Sequence, residues 1–119
     1  MKRRIAHLIG RRKEQDARWW LEKQGIQIIA ENFTCRGGEI DLIGLDGTTL
    51  VAFEVRYRQS DSHGSAAESI TPGKLQRLMR CFQAFVQQHP QYAQAALRID
   101  VIAWEGDAQT PEWLRNVTL

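Results

Sequence analysis

Apolar residues recur at two different spacings along this chain, and the two spacings predict helices and strands. Recurrence every three or four positions, as at Ala17, Trp20 and Leu21, is typical of one face of a helix. Alternation with polar residues, or a short continuous apolar run, is typical of a strand. The predicted order is helix, three strands, helix, strand and a short edge strand, over residues 11–24, 26–33, 39–45, 49–57, 72–88, 97–104 and 116–119.

The second and third strands are apolar on both faces. One face is predicted to carry Ile40, Leu42, Val51, Phe53 and Val55, and the other Ile43, Leu45, Leu50 and Ala52. A sheet that is apolar on both faces needs cover on both, so we expect an α/β fold with helices on each side of the sheet. The strand–helix–strand order of residues 49–104 predicts a parallel crossover.

The second helix has clear signals for its start and its packing. Thr71 suits the N-cap and Pro72 the first helical position. The predicted core-facing stripe consists of Leu75, Leu78, Met79, Phe82 and Val86. The 119 residues predict a single domain over 1–119, in which residues 1–10 are a basic N-terminal segment that forms a helical turn or is partly mobile.

Charged residues interrupt the apolar strands on either side of a turn. Asp41 lies in the second strand, and Glu54 and Arg56 lie in the third. Asp46 and Gly47 predict a hairpin turn between them. A two-residue loop of Asp46 and Gly47 makes Glu54 a diagonal neighbour of Asp41, and a four-residue loop starting at Asp46 places the two directly opposite. Either even length puts Asp41, Glu54 and Arg56 on one face.

Carboxylates on neighbouring strands at this separation can hold one divalent cation, because cross-strand pairs have Cβ atoms roughly 4.5–8 Å apart. Glu39 adds a third acid on the same face, and that much like charge is unfavourable without a cation. The alternative is a structural role, with Asp41 and Glu54 in ion pairs to Arg56 and Arg58. For Asp100, which follows Arg98 by two residues, we favour such a structural ion pair.

Composition narrows the class of protein. No apolar run approaches the ~20 residues that span a membrane, so we expect no membrane partner and a cytoplasmic location. Cys35 and Cys81 are expected to be free thiols, since two cysteines make neither a disulfide framework nor a metal motif. The net charge is only +2, but basic residues cluster near the start and after the acidic pair, which suits a polyanion. They are Lys2, Arg3, Arg4, Arg11, Arg12 and Lys13, then Arg56, Arg58, Lys74, Arg77 and Arg80.

Motifs spread over nearly the whole chain resemble the YraN family of small bacterial proteins. They are Glu14 with Ala17, Asn32, GEIDLI at 38–43, FEVRYR at 53–58, Lys74 and RIDV at 98–101. The pair GEIDLI and FEV(K/R)xR at this spacing is the most specific part. That family resembles archaeal Holliday-junction resolvases and the PD-(D/E)xK nuclease superfamily.

The resemblance implies a restriction-endonuclease-like, three-layer α/β/α fold with a mixed central sheet of about five strands. It implies that Asp41, Glu54 and the backbone carbonyl of Val55 hold Mg²⁺ or Mn²⁺, with Glu14 completing the site. It also implies DNA as the partner, bound through Arg56, Arg58 and Lys74, and a homodimer by analogy.

The expected function is a metal-dependent endonuclease-like protein that acts on branched or single-stranded DNA. The family pattern has Lys where this chain has Arg56, which keeps its charge and cannot readily exchange a proton. The first alternative is therefore a nucleic-acid-binding protein that retains the fold without cleaving. The second alternative is an interaction domain that presents Trp19, Trp104 and Trp113 to a partner. His63, in the loop after the third strand, is a weaker candidate for the site.

Overall fold

The computed structural model describes residues 2–59 and 64–117, with side chains from residue 12 onward. Its two α-helices and five strands follow the predicted order. They are α1 (Lys2–Lys23), β1 (Gln27–Cys35), β2 (Gly38–Asp46), β3 (Thr49–Arg58), α2 (Pro72–Gln88), β4 (Leu97–Glu105) and β5 (Glu112–Leu114). None of the helices in this part of the chain is long and apolar enough to cross a membrane.

The five strands form one mixed sheet in the order β1-β2-β3-β4-β5. β1, β2 and β3 pair as an antiparallel meander, and β5 pairs antiparallel with β4. β3 and β4 are parallel, and α2 makes the crossover between them, as the strand–helix–strand order predicts. This α/β arrangement is compatible with a restriction-endonuclease-like fold.

A helix covers each face of the sheet. Ala17 and Leu21 of α1 pack on a cluster that includes Leu42, Val51 and Phe53. On the opposite face, the apolar side of α2 packs on Ile43, Leu50, Ala52 and Ile99. The two-sided burial that the apolar strands predict is therefore present, and the sheet is the middle of three layers.

The core-facing stripe of α2 differs from the predicted one at three positions, one of which is Cys81, a buried residue outside the predicted stripe. Leu75, Leu78 and Phe82 are buried as expected, but Met79 is 39% exposed, and Phe85 takes a core position instead. At 3.6 residues per turn, position 79 lies at the margin of the stripe centred on 75, 78, 82 and 85. The N-cap prediction is confirmed, because the Thr71 hydroxyl accepts the Lys74 N–H at 3.3 Å.

Both ends of the described chain differ from the predicted boundaries. The helix predicted to begin at residue 11 begins at Lys2, so the basic segment extends α1. Gly25 follows that helix with φ +94°, the left-handed conformation that glycine adopts most easily at a C′ position. His63 lies outside the described residues, as do the side chains of residues 2–11, which include four of the predicted basic residues.

The edge strand was predicted at the wrong residues. It is Glu112–Leu114, not residues 116–119. Asn116 has φ +56°, which ends the extended conformation, and its N–H donates to Asp100 Oδ1 at 2.9 Å. The alternation of apolar and polar residues does not show that a buried acid binds the backbone of this segment.

Asp100 is the one charged residue among the described residues that is completely buried, and both of its carboxylate oxygens accept hydrogen bonds. Arg98 donates to both of its carboxylate oxygens at 2.9 Å, and the Trp113 indole N–H donates at 2.9 Å. Arg98 also reaches Asp46 at 2.8 Å, which ties β4 to the hairpin. The predicted structural pair of Arg98 and Asp100 is confirmed, and it also fixes the segment that follows β4.

The prediction of free thiols is wrong. Cys35 and Cys81 form a disulfide with a Cα–Cα distance of 5.4 Å. Cys35 ends β1 and Cys81 lies on the core-facing side of α2, so packing of the helix on the sheet brings them together. A sequence separation of 46 residues gave no sign of this contact, which depends on the tertiary fold.

Candidate metal and nucleic-acid site

The hairpin between β2 and β3 has the register that places Asp41 opposite Glu54. Asp46 pairs with Thr49, and the same register runs to the pair Leu42 and Phe53. The loop is Gly47–Thr48, with Gly47 at φ +62°. Asp41, Glu54 and Arg56 are therefore on one face, as predicted. Of the two registers considered, the structure has the one that places Asp41 directly opposite Glu54. Its two-residue loop begins at Gly47, one residue later than the predicted loop of Asp46 and Gly47.

Asp41 lies just past the last regular pair of the two strands. Its Oδ2 accepts the backbone N–H of Val55 at 2.9 Å, so a side chain takes the place of a ladder hydrogen bond. In antiparallel strands the N–H and C=O of one residue point to the same neighbour, so the Val55 carbonyl lies on the side of Asp41. Ile40, predicted to share the face of Leu42, packs instead with the α2 cluster, although both residues pair with β1 in one register.

Asp41, Glu54 and Arg56 line one cavity of about 260 Å³ between the hairpin and α2. Lys74 and Arg77 of α2 line its other wall. The Lys74 ammonium also donates to the Ser69 carbonyl at 3.1 Å, which holds it at the start of the helix. Arg58 does not line this cavity; it lies at the end of β3, beside Glu105 of β4. The structure thus brings together four of the predicted site residues and leaves Arg58 outside.

Burial shapes the protonation of the two carboxyl groups. Desolvation raises the pKa of Glu54 to about 8, helped by the negative charge of Asp41 and opposed by Arg56 and Lys74. Desolvation also raises the pKa of Asp41, and hydrogen bonds from the Val55 N–H and from Glu54 oppose that rise. Both shifts favour the protonated, neutral form of the carboxyl groups, and the negative charge of Asp41 disfavours ionisation of Glu54.

Arg56 lies beside the acidic pair, but the pair does not satisfy all of its hydrogen-bond donors. One guanidinium nitrogen lies 3.4 Å from Glu54 Oε1, which is a long ion pair. Its Nε is buried and has no hydrogen-bond partner among the described residues. A buried guanidinium N–H without an acceptor is costly, and it can be satisfied by an anion bound in the cavity.

Glu14 reaches this site from the other layer. It projects from α1, is half-buried, and hydrogen-bonds with Asp41. This hydrogen bond puts Glu14, which the family resemblance implied as a site residue, beside the acidic pair. Even so, no group of three or more acidic, His or Cys side chains in the described part of the chain is arranged to hold a metal ion. Asp41, Glu54 and a backbone carbonyl are the donors that remain.

Four residues that line the cavity were not among the predicted site residues: Gly38, Glu39, Arg77 and Leu78. Arg77 follows Lys74 by three positions on α2, which puts both on one helical face. That spacing was available in the sequence, but the orientation of the helix was not. Gly38 lines the cavity next to the disulfide, where an added Cβ would lie 3.5 Å from Cys81 Sγ.

The fold and the site together define a class of protein. It is a three-layer α/β protein with two buried, opposed carboxyl groups at the end of a central hairpin and three cationic side chains in the same cavity. The chain belongs to the uncharacterised protein family UPF0102, whose family model matches residues 13–104. The YraN resemblance is therefore confirmed at the level of the family.

Curated relatives agree with this assignment. A UPF0102 protein of Aeromonas hydrophila subsp. hydrophila is 46% identical over 108 residues, which is 90% of this chain and 82% of the relative. One from Herminiimonas arsenicoxydans is 44% identical over 114 residues, or 96% and 89% of the two chains. One from Klebsiella pneumoniae is 46% identical over 104 residues, or 87% and 80%. All three names give the family alone.

Proposed function

We propose that this chain is a metal-dependent, endonuclease-like protein that binds DNA and hydrolyses its phosphodiester bonds at branched or single-stranded positions. The observation that carries the proposal is the cavity in which Asp41 and Glu54 meet under three cationic side chains. Buried acids with raised pKa values are a site where a divalent cation can replace a proton, and the surrounding cations suit a phosphate.

The donor set fits a hard cation. Asp41, Glu54 and the Val55 carbonyl would hold Mg²⁺ or Mn²⁺ through oxygen atoms, which these ions prefer. Glu14 supports the site through its hydrogen bond with Asp41. When bound, such an ion lowers the pKa of a water molecule and offsets charge on the scissile phosphate.

The cations of the cavity supply phosphate binding. Arg56 has a buried N–H to offer, and Lys74 and Arg77 project from one face of α2. Contacts of this kind position the DNA backbone without reading its sequence, so binding should weaken steeply as salt rises. Arg58, outside the cavity at the end of β3, would bind a neighbouring phosphate.

A second function is favoured by Arg56 itself. A guanidinium stays charged at all relevant pH values, so it can bind a phosphate but cannot pass a proton to or from water. Its ion pair with Glu54 also restricts the Glu54 carboxylate, which a cleaving enzyme would need to bind the metal. The alternative is thus a nucleic-acid-binding protein that keeps the nuclease fold without cleavage.

Cleavage of labelled branched, flapped and single-stranded DNA with Mg²⁺ or Mn²⁺ separates the two functions. The wild type should cut at least one substrate, and Asp41→Asn should lose the cut while still binding DNA. Glu112→Gln, on the exposed side of β5, is the control and should cut normally. Salt-sensitive binding without cleavage, even in Arg56→Lys, would favour the second function, and no binding to any of these DNAs would contradict both.

We also propose that the protein works in the cytoplasm and as a homodimer, by analogy with resolvase-like proteins. Sedimentation of the purified protein with and without DNA tests the dimer. A single species of about 14 kDa under both conditions would contradict it.

A further inference from the structure

A second cavity lies on the α1 face of the sheet, and three of the four tryptophans line it. Its volume is about 340 Å³, and its walls include Trp19, Trp20 and Trp104 together with Lys13, Lys23 and Asp16. Trp19 is 62% exposed, so its ring is available to a ligand. We call this the aromatic cavity.

Lys13 contacts two aromatic rings, one of which, Trp104, lines this cavity. Its ammonium lies 4.8 Å from the centroid of the Trp104 ring and 5.4 Å from that of Tyr57, both within the range of a cation–π contact. With two lysines and one aspartate, the ionisable side chains of the wall sum to a charge of +1. An aromatic wall with a positive rim is the combination that binds single-stranded nucleic acids, through base stacking and phosphate attraction.

The aromatic cavity and the carboxylate cavity are neighbours around the end of β3. Arg56 lines the carboxylate cavity, and the next residue, Tyr57, contacts Lys13. The same holds on α1, where Lys13 lines the aromatic cavity and Glu14 hydrogen-bonds with Asp41. Consecutive side chains of a strand point to opposite faces of the sheet, so the two cavities open on opposite faces beside the same end of β3.

We propose that the aromatic cavity holds an unpaired base of single-stranded DNA whose backbone passes the carboxylate cavity. This inference rests on the proposed function, because it names the part of the DNA that the protein recognises. The concave shape favours a base over a protein partner, and so do the lysines, which are depleted at the centre of protein interfaces. A second copy of this chain is the competing occupant.

Two fluorescein-labelled probes separate base binding from phosphate binding. One is an oligothymidylate of about 12 nucleotides, within the range bound by single-strand proteins, and the other is an abasic chain of the same length. Fluorescence anisotropy is measured with EDTA, so that no cleavage occurs. The wild type should bind the thymidylate about 5- to 100-fold more tightly than the abasic chain, which corresponds to stacking of one base.

Trp19→Ala should remove this preference and leave the affinity for the abasic chain unchanged, and Trp19→Phe should keep most of it. Because Trp19 is mostly exposed, Trp19→Ala should also unfold at nearly the wild-type temperature. Met79→Ala removes an exposed apolar side chain from α2, on the opposite face of the sheet, and should change neither affinity.

The outcomes distinguish the inference from the function beneath it. If the wild type binds both probes equally, or Trp19→Ala weakens both alike, the base-binding inference is wrong while phosphate binding stands. If neither probe binds, the inference fails, and the proposed function fails with it only if branched and flapped DNA are not bound either. If Trp19→Ala turns a dimer into a monomer in sedimentation and leaves the base preference intact, the cavity is an interface between copies and the inference is overturned.

Discussion

Replacing Glu54 with Gln tests the electrostatics of the carboxylate pair. The pKa of Glu54 is raised from 4.5 to about 8 by desolvation and by Asp41. Between those values the native state holds one proton more than the unfolded state, so stability is greatest at low pH and falls as the pH rises. The slope is up to about 1.4 kcal/mol per pH unit.

The magnitude follows from the burial of the group. From about pH 5.5 to about pH 7.5 the free energy of unfolding should fall by about 1–3 kcal/mol, the lower value allowing for solvent at this 13% exposed side chain. Glu54→Gln has no proton to lose at that position, so its profile should be flatter and the variant should be the more stable protein above about pH 7.

Urea unfolding across this pH range, followed by circular dichroism, measures both slopes. The exposed Glu112→Gln should keep the wild-type slope. Added Mg²⁺ should stabilise the wild type most at high pH, where the pair is ionised, and should not stabilise Glu54→Gln to the same extent. Parallel pH profiles for the wild type and Glu54→Gln would refute the raised pKa of Glu54.

Three further changes test the scaffold around the site. Asp100→Asn should cost about 3 kcal/mol or more in urea unfolding, because it leaves buried donors without their carboxylate; a loss under 1 kcal/mol would contradict that role. Reduction of the Cys35–Cys81 disulfide should lower the free energy of unfolding by about 4 kcal/mol, from the loop entropy of its 46-residue separation. A variant with both cysteines changed to Ser should not respond to reductant. Equal responses of the two proteins would count against the bond. Thr71→Ala should cost about 1 kcal/mol through the lost N-cap, with an unchanged midpoint as the contrary result.

The predictions that held depend on local chemistry. Turn residues and strand parity were sufficient to place Asp41, Glu54 and Arg56 on one face, because side chains alternate strictly along a strand. They were not sufficient to choose between two even-length loops, which the turn residues allow equally. Ile40 was predicted to share a face with Leu42 because parity assumes strict alternation, whereas the structure puts the two residues in different core clusters.

The features that were missed depend on contacts between distant residues. The Cys35–Cys81 bond and the position of Arg77 both follow from the way α2 lies on the sheet, and periodicity gives the apolar side of a helix but not its direction. The short edge strand was misplaced for a related reason. Hydrogen bonds from Trp113 and Asn116 to Asp100 fix its position, whereas the sequence pattern predicted only Arg98 as a partner of Asp100.

The bond from the Val55 N–H to Asp41 has a consequence for comparing members of this family. Asp41 completes the backbone pairing of the hairpin whether or not the protein cleaves anything. Selection for folding alone can therefore keep an acid at this position in a relative that has no catalytic activity. Retention of Asp41 in a relative would not distinguish a working nuclease from a binding protein, whereas the identity of the residue at position 54, which makes no such backbone bond among the described contacts, is the more informative marker.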